Sequence, residues 1–140
     1  MKLSLAVEAE TIRLGEIIGR SLEAGDLVLL HGELGAGKTT LVRGLARAAG
    51  YRGRVSSPTF ALAHVYRGSR LTLHHLDLYR LEGGDVGELG LDELLHDPRG
   101  VVVVEWPRAD VRWPSRRVEV RLTHAKSGRR VRVRDRRRGR

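Results

Sequence analysis

The chain has 140 residues, 41% of them hydrophobic, which is enough for one domain with a core, and no apolar run is long enough to span a membrane. It contains no cysteine, which excludes disulfides, thiol nucleophiles and thiolate metal sites and fits a cytoplasmic location. The net charge of +9 lies at one end: residues 1–115 sum to −1 and residues 116–140 to +10.

In chain order, the start turns acidic at Glu8, before a signal-peptide core could form. Leu3–Val7 is a predicted strand. From Glu8 to Glu23, Leu14, Ile17, Ile18 and Leu22 recur at helical spacing, and Gly25 is the expected C-cap. Leu27–Leu30 is a continuous apolar run between turn signals, the pattern of a strand covered on both faces. A helix is predicted from Lys38 to Ala49, stopped by Gly50. Residues 56–60 form a polar loop. Residues 61–78 read as two strands around a tight Gly68-Ser69 turn. A short helix follows from Asp85 to Asp97, with Leu91, Leu94 and Leu95 on its apolar side. Val101–Val104 is a second fully buried strand, and Pro107 and Pro114 bracket a loop. Residues 117–135 alternate apolar and charged side chains around Lys126-Ser127-Gly128, a predicted terminal hairpin. The expected architecture is α/β: a single P-loop NTPase-like domain over residues 1–135. Its central mixed parallel and antiparallel sheet is flanked by helices and ends in a basic C-terminal hairpin, and residues 136–140 form a disordered basic tail.

Gly32-Glu33-Leu34-Gly35-Ala36-Gly37-Lys38-Thr39 matches the phosphate-loop pattern G-x-x-x-x-G-K-[ST], in the strand–loop–helix context that pattern requires. Glycines let the backbone approach an anion, successive N–H groups form an anion nest, and the helix N-terminus at Lys38, Thr39 and Thr40 adds its partial positive charge. Lys38 supplies a full charge for the β and γ phosphates. Thr39 offers a hydroxyl to magnesium, which takes few protein ligands. A hydrolysing site also needs an acid for the metal and a group that orients water. Two acids end apolar strands: Glu105, expected to serve magnesium, and Asp77, expected to polarise water or hold a ligand water unless it pairs with Arg80. The loop Ser57-Pro58-Thr59 has a hydroxyl that can sense the γ-phosphate or magnesium. Trp106, beside Glu105, is a candidate partner contact or a core ring. His74 and His75 are adjacent and so face opposite sides of a strand, which argues against a shared metal. The chain has neither asparagine nor glutamine, a depletion also found in thermophilic proteins. Without them it can carry neither the guanine-reading Asn-Lys-x-Asp motif nor a water-positioning glutamine, and ATP becomes the default nucleotide.

Taken together, "GELGAGKTTLVRGL", "SSPTF", "HHLDLYRL", "LGLDELL" and "VVVVEWP", in this order between Glu10 and Arg108, resemble the bacterial TsaE (YjeE) family. The resemblance implies an ATPase, slow alone, that supports tRNA threonylcarbamoyladenosine synthesis with a TsaB–TsaD heterodimer. It implies that Lys38 and its loop bind ATP or ADP, that Thr39 and Glu105 serve Mg2+, and that Asp77, Thr59 and Trp106 bear on activity or nucleotide response. It also implies that Thr11 lies close to the nucleotide. Two other readings compete: a small-molecule or nucleoside kinase, for which the chain leaves little room for a lid, and a nucleotide-dependent RNA-binding module resting on the basic C-terminal segment, which could contact tRNA.

Overall fold

The computed structural model describes residues 1–33, 35–55, 63–79, 90–109 and 111–137. Their elements are β1 (Lys2–Leu5), α1 (Glu8–Arg20), β2 (Leu27–Gly32), α2 (Lys38–Ala48), β3 (Ala63–Arg67), β4 (Thr72–Asp77), α3 (Leu91–Leu95), β5 (Gly100–Glu105), β6 (Val118–His124) and β7 (Arg129–Asp135). One seven-stranded sheet runs in the order β1-β7-β6-β2-β5-β4-β3. β4, β5, β2 and β6 are parallel, while β3, β7 and β1 add antiparallel pairs at the two sides. This is the expected mixed sheet.

The continuous apolar runs predict strands buried on both faces, and β2 and β5 are the two inner strands that carry them. Val28, Leu30, Val101 and Val103 join Leu14, Ile18, Leu41 and Leu45 of α1 and α2 in the larger core. Leu27, Leu29, Val102 and Val104 face the other way, toward Leu91, Leu94 and Leu95 of α3 and toward Val111 and Trp113. The period-2 alternation of side chains thus divides each strand between two layers.

Two local expectations are corrected. Helix α1 ends at Arg20 with Ser21 as its C-cap, so Gly25 is not the cap. At φ +91° Gly25 turns the chain into β2, and its N–H donates to the Gly100 carbonyl at 2.8 Å. The β3–β4 register pairs Arg67 with Thr72, which leaves a four-residue connection instead of a tight two-residue turn; the Gly68 N–H closes it on the Leu71 carbonyl at 3.0 Å. Beyond β7, Arg136 and Arg137 are tied to the rest of the fold. The Arg136 N–H donates to the Arg117 carbonyl, and the Arg137 guanidinium bonds the Ser21 carbonyl at 2.8 Å and the Asp26 carboxylate at 2.9 Å. Asp26 is buried, and Arg137 supplies the charge it needs.

Helices α1 and α2 meet through glycine. A Cβ added at Gly15 would strike the Leu41 carbonyl, and one added at Gly44 would strike the Ile12 carbonyl and the Glu16 N–H. The backbones therefore touch, which sets α2, and the loop before it, at a fixed height above the sheet. Gly44→Ala would gain about 1 kcal/mol of helix propensity, but the methyl meets backbone that cannot rotate away, and overpacking of this kind costs about 1–3 kcal/mol or more. We expect Gly44→Ala to lower the free energy of unfolding, read as an earlier urea midpoint; a later midpoint would show that the helices can part without loss.

Candidate active site

Among the described residues, the first turn of α2 has no side-chain acceptor for its N–H groups. In α1 the Glu10 carboxylate accepts from the N–H groups of Ala6 and Val7, and Glu8 and Glu10 place negative charge in the first turn. α2 has no acid in its first turn and no side-chain cap, only Gly37 at φ +104°. Such donors, with the positive end of the helix dipole, suit an anion. Gly35, at φ +76°, and Gly37 are two places where a side chain would strain the turn. Gly32 must also be bare, because a Cβ there would lie 2.7 Å from the Leu122 carbonyl.

Lys38 is 5% exposed. Its Nζ donates to the Gly32 carbonyl at 2.5 Å and stands 3.5 Å from the centroid of the Trp106 ring. Burial lowers its pKa, and the nearby carboxylates of Glu105 and Asp77 offset part of that. Trp106 has φ +55°, the only non-glycine in the left-handed region among the described residues. Its N–H donates to the Leu30 carbonyl at 3.2 Å, and its ring lies tilted against Tyr79, the centroids 4.7 Å apart. The chain leaving β5 thus turns sharply to lay an aromatic face against the ammonium, a local strain of the kind that collects at functional sites.

The two acids are register partners: Asp77 lies beside Glu105 across the parallel β4–β5 pair. Both occupy the face that carries α2, in the crevice at the strands' carboxyl ends. Glu105 is 3% exposed, and His75 Nε2 donates to one of its oxygens at 2.5 Å. The other nitrogen of His75 meets the Tyr66 hydroxyl at 3.4 Å. One oxygen of Glu105 is therefore occupied and its rotamer held. Asp77 accepts from the Tyr79 N–H at 2.9 Å. Burial raises the Asp77 pKa and the Glu105 charge adds to it, against the opposing effects of the Tyr79 N–H, His75 and Lys38.

Of the residues the sequence singles out, Gly32, Glu33, Gly35, Ala36, Gly37, Lys38, Thr39 and Thr40 form the loop and the start of α2, and Asp77, Glu105 and Trp106 converge on Lys38. Leu34, Ser57, Pro58 and Thr59 lie outside the described residues, as does Arg80. Thr11 is fully buried on α1, and its hydroxyl has no partner among the described residues. The glycine contacts run Gly15 to Leu41 and Gly19 to Leu45, so Thr11, one turn earlier, lies level with the first turn of α2. As expected, His74 and His75 face opposite ways, His74 pairing with Asp97 at 2.8 Å. No group of three or more His, Asp or Glu side chains suited to a metal occurs among the described residues.

Sequence reasoning missed three participants. His75 precedes Asp77 by two on one strand, so the alternation that put Asp77 toward the loop also puts His75 there. Tyr79 packs its ring against Trp106. Arg129, at the start of β7, lies over the glycines: its Nη2 donates to the Gly35 carbonyl at 3.4 Å, and its Nε, beside Gly37, is buried without a partner among the described residues. No motif marks Arg129, because only the sheet order brings β7 to the loop.

A phosphate loop between a central parallel strand and a helix, with acids ending the neighbouring strand β5 and β4 beyond it, defines a P-loop α/β domain. The family model "Threonylcarbamoyl adenosine biosynthesis protein TsaE" matches residues 5–132. The tRNA threonylcarbamoyladenosine biosynthesis protein TsaE of Nostoc sp. is 42% identical over 130 residues, 91% of this chain and 80% of that one. The protein of the same name from Streptomyces coelicolor is 51% identical over 102 residues, 70% of this chain and 68% of that one. The crystal structure of Bacillus subtilis YdiB superposes with a TM-score of 0.75 at 29% identity, covering 94% of this chain and 82% of that one. The chain belongs to the TsaE family.

The raised Asp77 pKa makes a prediction with a definite sign. Ionised Asp77 is disfavoured in the fold, so its contribution to stability is fully present below the unfolded value near 3.8 and is lost as pH rises through the folded value. Asp77→Asn keeps an acceptor for the Tyr79 N–H and removes the charge. We expect the variant to match the parent in acid and to become the more stable of the two as pH rises above that range, measured by thermal unfolding across pH. Equal stability at every pH would refute the assignment.

Proposed function

We propose that this protein is a magnesium-dependent ATPase of the cytoplasm that serves tRNA threonylcarbamoyladenosine synthesis by acting on a TsaB–TsaD complex. The observation that carries the reading is the buried Lys38 ammonium, held by a carbonyl and an aromatic face and turned toward two carboxylates on adjoining strand ends. A bare structural lysine has no use for that cost of burial, whereas a lysine that trades the Gly32 carbonyl for phosphate oxygens does.

The donor set fits a hydrated magnesium ion: Thr39 at the loop, and Glu105 with one oxygen fixed by His75 and the other left for a direct or water-mediated contact. When bound, the ion would neutralise charge building on the phosphates. The residues of the chain then divide the work. The backbone of Gly35 to Thr40 cradles phosphate. Lys38 balances its charge. Asp77, its pKa raised by burial, is suited to hold and polarise water or to take up a proton. Thr59, in the loop Ser57-Pro58-Thr59, reports the γ-phosphate to a partner surface that includes Trp106 and its exposed neighbour Tyr79. Thr11, level with the first turn of α2, turns its hydroxyl to the nucleotide.

The decisive assay measures ATP binding and hydrolysis with and without TsaB–TsaD. Lys38→Ala is expected to weaken ATP binding about 100-fold, as for the loss of a charge-assisted contact worth about 2.7 kcal/mol. Glu105→Gln should keep binding within about threefold and lose most hydrolysis. Adding the cognate pair should raise turnover; absence of stimulation would refute the coupling. Transfer of phosphate to a metabolite far faster than to water would replace this reading with a kinase.

A further inference from the structure

The sheet has two faces, and one of them is only partly covered. α1 and α2 cover the face of Val28, Leu30, Val120, Leu122 and Val131. On the other face, α3 with Val111 and Trp113 covers the apolar residues of β2, β4 and β5. Past β2 none of the described elements covers that second face, and the alternation along β1, β7 and β6 fills it with cations. Lys2 pairs in register with Arg132, Arg132 with Arg121, and Arg121 with His31, a row across four strands; Arg130 and Arg134 flank it along β7. Lys2, Arg121, Arg130, Arg132 and Arg134 are all exposed.

None of these five cations has a carboxylate partner among the described residues. The neighbouring arginines do: Arg117 and Arg136 reach Glu119 at 3.4 and 3.7 Å, Arg116 reaches Asp26 at 3.8 Å, and Arg137 is shared by Asp26 and Asp135. Glu119, the one acid on that face among the described residues, is thus already engaged, by His31 at 3.1 Å as well. Like charges directly across strands are destabilising. Charge that guards a sheet edge against pairing belongs on edge strands. That accounts for Lys2 on β1, but not for Arg121, Arg130, Arg132 and Arg134 on the interior strands β6 and β7. The free protein therefore carries an uncompensated positive strip that a polyanion would relieve.

We propose that this open strip of Lys2, Arg121, Arg130, Arg132 and Arg134 is a docking surface for the phosphate backbone of folded RNA. The strip contains no aromatic and no large apolar side chain. Single-strand readers need aromatic platforms for bases, and protein interfaces need buried aromatic or apolar anchors. A flat field of cations suits a duplex backbone read by charge and shape. Membership in a tRNA-modification family favours RNA over other polyanions. The strip lies on the opposite side of the sheet from Lys38, Asp77 and Glu105, so RNA and nucleotide do not compete. The inference rests on the family's pathway and does not require ATP hydrolysis.

The test is fluorescence anisotropy of the full chain with a labelled tRNA transcript across a salt series. Arg121→Ala/Arg132→Ala/Arg134→Ala should weaken binding at least about tenfold at low salt and lower the log–log salt slope by about three, one per lost phosphate contact. A control of equal charge, Arg13→Ala/Arg20→Ala/Arg67→Ala, should stay within about twofold of the parent, and an unrelated RNA hairpin should bind as well as tRNA. Unchanged affinity in the first variant, equal loss in the control, or displacement of tRNA by polyglutamate at equal charge would overturn the proposal, the last by pointing to an acidic protein. Melting curves and ATP titrations of the same samples separate this result from the ATPase reading: intact RNA docking without ATP turnover would sink only the latter.

Discussion

Everything near the phosphate loop is arranged around one buried cation. The Lys38 ammonium has lost most of its water, and the fold replaces it with the Gly32 carbonyl, the face of Trp106 and the field of Asp77 and Glu105. Each replacement makes a demand elsewhere. The carboxylates reach it together only because β4 and β5 are parallel and in register. The indole reaches it only because the backbone takes a positive φ at residue 106. Glu105, buried as deeply as it is, needs His75 against one oxygen.

The same site depends on how closely α1 and α2 approach. Gly15, Gly19 and Gly44 bring backbone against backbone, and the height of α2 sets where Gly37 and Lys38 stand over the strand ends. The other flank is closed by the terminal hairpin, whose Leu122 carbonyl abuts Gly32 and whose Arg129 lies on Gly37. The basic segment is therefore not an appendage. It forms two strands of the sheet, bounds the phosphate loop and, through Arg137, neutralises a buried aspartate on the far side of β2.

That arrangement divides an arginine-rich segment by task. Arg117, Arg136 and Arg137 make ion pairs that hold the fold together, Arg129 serves the loop, and the arginines on the alternate face of β6 and β7 remain uncommitted. Composition alone sees a single run of positive charge. The strand register separates its members, because side chains one residue apart on a strand point to opposite faces.

By itself the sequence determined what depends on local pattern. The phosphate loop was legible because its residue types answer to one backbone shape. β2 and β5 were legible because only strands covered on both faces are apolar throughout, and Asp77 and Glu105 because each ends such a run. The terminal hairpin was legible from its alternation. Tertiary structure decided what depends on which strands become neighbours. It set the order that puts β7 beside β6 and carries Arg129 to Gly37, the pairing of His75 with Glu105, the stacking of Trp106 on Lys38, and the anchoring of Arg137 on Asp26 more than a hundred residues away. Those contacts join residues distant along the chain, and their geometry comes from sheet register and helix packing, neither of which any short window of residues encodes.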